Sequence, residues 1–91
     1  MIPGQKYSSS AEGVLGEWNG LEVGVWECAP TVETDTEADE VFVVIEGSAT
    51  IEFVEPALPA IEIGPGDVVR LAEGMRTVWT VRETLRKVYV A

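Results

Sequence analysis

Apolar and polar positions along the chain fall into short runs, each closed by glycine, proline or acidic residues. Leu21-Glu22-Val23-Gly24-Val25-Trp26-Glu27-Cys28 stops at Pro30, Val41-Phe42-Val43-Val44-Ile45 at Gly47, and Ala49-Thr50-Ile51-Glu52-Phe53-Val54 near Pro56. Further runs cover Ala60 to Ile63, Asp67 to Leu71, Thr77 to Val81 and Lys87 to Val90. Short β-rich runs at this close spacing predict the strands of an all-β sandwich or barrel. Ile51 and Phe53 alternate with Thr50 and Glu52, the pattern of a strand with one buried and one wet face. Val41 to Ile45 is apolar at every position, which predicts cover on both faces. In a small single-core domain the second cover is expected from a neighbouring subunit, making the protein a homodimer. Glu33 to Glu40 is the one helical candidate, but its β-branched and acidic residues form no apolar stripe, so it reads as a solvated acidic loop leading into a strand. The first dozen residues, with Pro3, Gly4 and a serine triplet, have the composition of a loose arm. The expected layout is an N-terminal arm or edge strand over residues 1–19 and one barrel over 20–91.

Composition narrows the function classes. The 46% hydrophobic content excludes disorder despite a formal net charge of −10 in 91 residues. So acidic a surface repels nucleic acid phosphates and anionic membranes. No run approaches the roughly 18 apolar residues of a membrane span, and the N-terminus lacks the apolar stretch of a signal peptide. With one cysteine, Cys28, no intrachain disulfide forms. A soluble, cytoplasmic protein is expected. No histidine is present, which excludes Ser–His and Cys–His nucleophilic catalysis and removes the commonest ligand of catalytic first-row metals.

Glu40, six residues and Gly47, followed by Gly66, five residues and Ala72-Glu73-Gly74, resemble the two motifs of the cupin superfamily, with Ala72 in place of a proline. More narrowly, Gly24-Val25-Trp26-Glu27, Glu40 through Gly47, Gly64-Pro65-Gly66-Asp67, Trp79-Thr80-Val81-Arg82-Glu83 and the closing Arg86-Lys87-Val88-Tyr89 are similar to small single-domain cupins. These are the relatives of ureidoglycine aminohydrolase and of an ethanolamine-utilisation protein. The resemblance spans about residues 20 to 91 and implies a cupin-type antiparallel jelly-roll barrel with a mouth for ligands. Independently of it, Gly47 and Gly66 fit turns that need positive φ, Pro65-Gly66 fits a type II turn, and Asp67 fits a turn acceptor.

The resemblance also implies a metal site, and here the chain departs from it. The paired histidines of metal-binding cupins fall at Thr34 and Thr36, or at Glu33 and Asp35, and the third at Thr77. Glu40 alone keeps a ligating side chain under either spacing, and a lone carboxylate with neutral threonines holds a first-row metal poorly. No cofactor is therefore expected; the crowd of carboxylates from Glu33 to Glu40 offers oxygen ligands of the kind that suit Ca²⁺, Mg²⁺ or Mn²⁺, an alternative left open although the spacing matches no calcium loop. Glu40, pointing into the barrel, calls for a hydrogen-bond donor that Arg76 or Lys87 can supply. Trp26 and Cys28 share one strand face, and Trp79 shares a face with Thr77.

The expected function is binding of a small organic ligand in the barrel. Glu40 is the anchor, with Thr77, Arg76, Trp26, Trp79, Cys28 and Phe42 around it. One alternative is a hydrolase, lyase or isomerase using Glu40 as acid or base on a small nitrogenous or sugar-like compound. The other is a structural domain whose barrel is filled by side chains.

Overall fold

The structure, a computed structural model, describes residues 13–91. The expected loose arm over the first dozen residues lies outside the described residues. Seven strands follow one another: β1 (Gly13–Trp18), β2 (Leu21–Cys28), β3 (Thr31–Thr36), β4 (Glu40–Glu55), β5 (Leu58–Ile63), β6 (Val68–Leu71) and β7 (Arg76–Val90). All pairings are antiparallel, in the order β1-β2-β7-β4-β5, with β3 added to β7 and β6 to β4.

The two long strands decide the architecture. Residues 41–44 of β4 pair with residues 87–90 of β7, while residues 49–53 pair with 77–81. The first pairing is flanked by β2 and β6, the second by β3 and β5. Each long strand therefore contributes to two layers and turns the corner between them. Register shifts between Val44 and Ala49 place the corner of β4 around Gly47, as bulges do where a strand must bend. Two expected runs, Val41–Ile45 and Ala49–Val54, are thus one bent strand, and Thr77–Val81 and Lys87–Val90 are another. Gly47 has φ of 91°, and a Cβ there would overlap the carbonyl of Thr84 on β7. Only glycine fits so close an approach at positive φ.

The second glycine turn behaves as its residues predict. Gly66 has φ of 90°, Gly64 N donates to Asp67 Oδ2 at 2.8 Å, and Asp67 N returns to Gly64 O at 3.1 Å. The turn is tied to β4 by two bonds, Gly66 N to Val44 O and Val44 N to Asp67 O.

Alternation puts one face of each layer inside. Phe42, Val44, Leu71 and Leu85 meet Ala49, Ile51, Ile63, Trp79 and Val81 in one core, with Phe53, Ile61 and Tyr89 against its edge. Val41 to Ile45 is covered unevenly within the chain. Phe42 and Val44 are buried, but Val41 is 42% exposed and Val43 and Ile45 are half-buried. The outer side of this run is open at Val41, whereas the same face is covered across β7, where Val25 and Val23 of β2, the partners of Val88 and Val90, are buried.

Candidate functional site

The loop 37–39 between β3 and β4 is laced to the turn before β7. Glu37 N donates to Met75 O, Gly74 N to Glu37 O, and Glu73 N to Asp39 Oδ1. This extends the β3–β7 pairing by one step and brings the Glu37 side chain beside Thr77 and Trp79. Glu37 Oε2 accepts from Thr77 Oγ1 at 2.6 Å and from Trp79 Nε1 at 3.0 Å. The residue is 6% exposed. Two charge-strengthened hydrogen bonds offset the cost of burying its carboxylate.

On the other layer, Lys87 lies on the inner face of β7, opposite Trp26 of β2 and Val44 of β4. Its Nζ donates to Glu40 Oε1 at 2.7 Å, and both side chains are nearly buried. The ammonium also stands 4.3 Å from the ring centre of Phe42 and 4.9 Å from those of Trp26 and Trp79. Three aromatic faces and one carboxylate thus enclose a cation that belongs to the chain itself. Cation–π attraction and the Glu40 pair together offset its desolvation. Trp26 and Trp79 are 5.8 Å apart, and Phe42 lies at the same distance from Trp79.

These groups line a cavity of about 240 Å³, open at the end of the barrel where β3 and β2 meet β7. Glu40, Lys87, Glu37, Trp26, Trp79 and Cys28 face it, with Glu33, Asp35 and Thr31 of β3 at the side and Tyr89 at the end of β7. The barrel is therefore not filled by side chains here. Tyr89 donates its hydroxyl to Glu22 Oε2 at 3.2 Å. Burial first, and then that carboxylate, push its phenol above the usual tyrosine range.

The structure brings together four of the seven expected site residues, Glu40, Trp26, Trp79 and Cys28. The other three are placed elsewhere. Phe42 is core, 1% exposed, and reaches the site only as the surface beneath Lys87. Thr77 is buried and spends its hydroxyl on Glu37, behind the cavity wall. Arg76 does not approach Glu40: it is exposed and lies 3.5 Å from Glu55. Its position in β7, one residue before Thr77, turns it to the outer face. Of the two donors foreseen for Glu40, Lys87 fills the role.

The stretch from Glu33 to Glu40 is also corrected. Its first half belongs to strand β3, whose residues Thr31 to Thr36 pair with Val81 to Arg76, and Glu37 is buried beyond it. The signal was available: β-branched Val32, Thr34 and Thr36 alternate with Glu33, Asp35 and Glu37 at period two. Among the described residues no group of three or more His, Cys, Asp or Glu comes together in a way that could hold a metal ion. Glu40, the one retained ligand position, is held by an ammonium.

A family model for the EutQ-like cupin domain matches residues 15–89. The chain belongs to this cupin family. No curated protein matches it. Among solved structures, a protein of unknown function from Rhizobium leguminosarum bv. viciae superposes with a TM-score of 0.79 at 20% identity, covering 98% of this chain and 96% of that one. The Clostridium difficile EutQ protein gives 0.67 at 24% identity over 77% of this cupin, which spans 54% of that chain. A DUF861 family protein from Thermotoga maritima gives 0.65 at 26% identity, covering 71% of this cupin and 73% of its own length.

Proposed function

We propose that this cupin binds a small organic molecule in its barrel cavity without a transition metal. The Glu40–Lys87 pair and Glu37 form the polar end, and Trp26 and Trp79 form the apolar walls. The observation that carries this reading is the cavity of about 240 Å³ itself, which places buried charges and aromatic faces side by side. Ligand sites have this make-up, mostly apolar walls with a few convergent polar groups. The test is a thermal-shift screen of the full chain against metabolite-sized anions, neutral compounds and cations. A binder at a hundred times its Kd adds about 2.7 kcal/mol of stability, and its effect should vanish in Trp26→Ala. A screen in which no compound of any charge raises the melting temperature would sink the reading.

The reading includes a homodimer. It is supported by Val41 and Val68, both exposed on the outer face of neighbouring strands β4 and β6.

A further inference from the structure

The cavity contains acceptors without donors to match. Among the described residues four carboxylates, Glu33, Asp35, Glu37 and Glu40, line it together with one ammonium, Lys87, and Glu40 already neutralises that ammonium at 2.7 Å. Three formal negative charges remain for whatever enters. They succeed one another at period two along one edge, Glu33 and Asp35 exposed at the mouth and Glu37 buried at depth. Glu37 carries the decisive atom. Its Oε2 takes both bonds from Thr77 and Trp79, and among the described residues no donor reaches its Oε1. Among the described residues no fully buried side-chain oxygen or nitrogen lacks a partner. The free oxygen of a residue only 6% exposed is therefore open to the cavity it lines.

Several of the donors, by contrast, are committed inside the protein. Trp79 Nε1 gives its hydrogen to Glu37 and Thr77, Tyr89 its hydroxyl to Glu22, and Lys87 one of its three N–H bonds to Glu40, with the ammonium set among the rings of Trp26, Phe42 and Trp79. An ionised carboxylate accepts and cannot donate. A ligand that brings only acceptors can turn to Lys87, already paired with Glu40, but an anion also meets the field of three further carboxylates. A ligand that brings N–H donors and positive charge meets both the free oxygens and the electron-rich faces of Trp26 and Trp79.

We propose that the cavity takes a small organic cation, an ammonium or guanidinium group on a compact apolar body. The inference rests on the small-molecule reading above and names the class of ligand for that same cavity. Glu37 Oε1 receives the cationic group, Glu33 and Asp35 draw it to the mouth, and the two tryptophans hold the apolar part.

Three molecules of one shape and different charge test it: benzylammonium, benzyl alcohol and benzoate, titrated into the full chain by calorimetry. Benzylammonium is expected to bind about tenfold or more tightly than benzyl alcohol, and to weaken as salt is added, with no heat from benzoate. Glu37→Gln can still accept from Thr77 and Trp79 while turning an amide to the cavity. It should remove about tenfold from benzylammonium affinity and leave benzyl alcohol unchanged. Asp35→Asn, at an exposed position where folding is unaffected, should weaken only the cation, and by less. Equal binding of alcohol and amine, or a preference for benzoate, would overturn the cation assignment while leaving a small-molecule pocket in place. Failure of all three to bind would also overturn it, and the mixed-charge screen then decides the pocket reading by itself.

Discussion

Lys87 is where a single residue changes the character of the fold. An amine in a barrel core is costly unless paired, and the pairing here is with the one carboxylate that the family pattern retains. The consequence is measurable by a two-residue cycle. Glu40→Gln strands a buried ammonium among aromatic rings and should lower the unfolding free energy by about 3 kcal/mol. Adding Lys87→Met, an apolar chain of similar length against Trp26, Phe42 and Trp79, should bring stability back to within about 1 kcal/mol of the parent. Urea melts of the four proteins check this; a loss in the double variant equal to the sum of the two single losses would show that the pair is not coupled. Tyr89 gives a second residue-level expectation. Its folded pKa is raised above the ordinary 10.0 by burial and then by Glu22. Its contribution to stability is therefore complete below pH 10 and is lost as pH rises through the higher folded value. In a Tyr7→Phe background, phenolate absorbance should appear above pH 10 in the native protein, and Glu22→Gln should move that titration back towards 10.

At the scale of elements, β4 and β7 make the site possible. A straight β4 would keep Phe42 and Ile51 in one flat sheet, and no cavity would separate Lys87 from Glu37. The bend depends on Gly47, where positive φ and the nearby Thr84 carbonyl leave no room for a side chain. Gly47→Ala should therefore cost about 2–4 kcal/mol, read as a lowered midpoint in denaturant. Gly66→Ala has positive φ but nothing within 4 Å of its Cβ, so its loss should be smaller, about 1 kcal/mol. A larger loss at Gly66 than at Gly47 would show that the close approach is not what fixes the corner. β3 makes a different contribution. It adds to β7 with its acidic positions turned to the cavity, so the barrel wall there is polar inside, with Val32 outside at 66% exposure. Ordinary inside-outside patterning is reversed on this one strand, and that reversal hid it from a reading based on apolar runs.

For the molecule as a whole, the fold leaves an apolar strip on the outer face of the first layer. Val41 and Val43 of β4 stand beside Val68 of β6; across β7, where Val88 and Val90 are half-buried, the same face passes to Val25 and Val23 of β2, which are buried, so the strip is open on the β4–β6 side. If a second copy covers it, light scattering of the wild type should give twice the mass of the 9.9 kDa chain. Val68→Lys, at a position 68% exposed, should give a folded monomer. A wild type that stays monomeric at high concentration would remove the dimer. Electrostatics acts on the same scale. The chain carries ten negative charges in excess, and the acidic edge of β3 concentrates part of that charge at the cavity mouth, where the surrounding walls focus it.

The sequence alone determined what depends on local pattern. Alternation and turn chemistry marked strands of the all-β barrel, and Gly66 and Asp67 fell in the turn their residue types demand, whereas Gly47, expected at a turn between strands, has the positive φ but sits at a bend inside β4. Strand faces were also legible, so Trp26 with Cys28 and Trp79 with Thr77 were paired as they stand in the structure. What lay beyond reach was everything set by contacts between distant segments. Whether Glu40 meets Lys87 or Arg76 depends on the corner of β7, where residues 82–86 turn the strand from one layer to the other. Whether Glu37 is a wet loop residue or a buried acceptor depends on the backbone bonds that lace it to residues 74 and 75. A carboxylate carries no local mark of its burial. Its partners, 40 or more positions away in sequence, supply the hydrogen bonds and the charge that make burial possible, and only the tertiary fold brings them within reach.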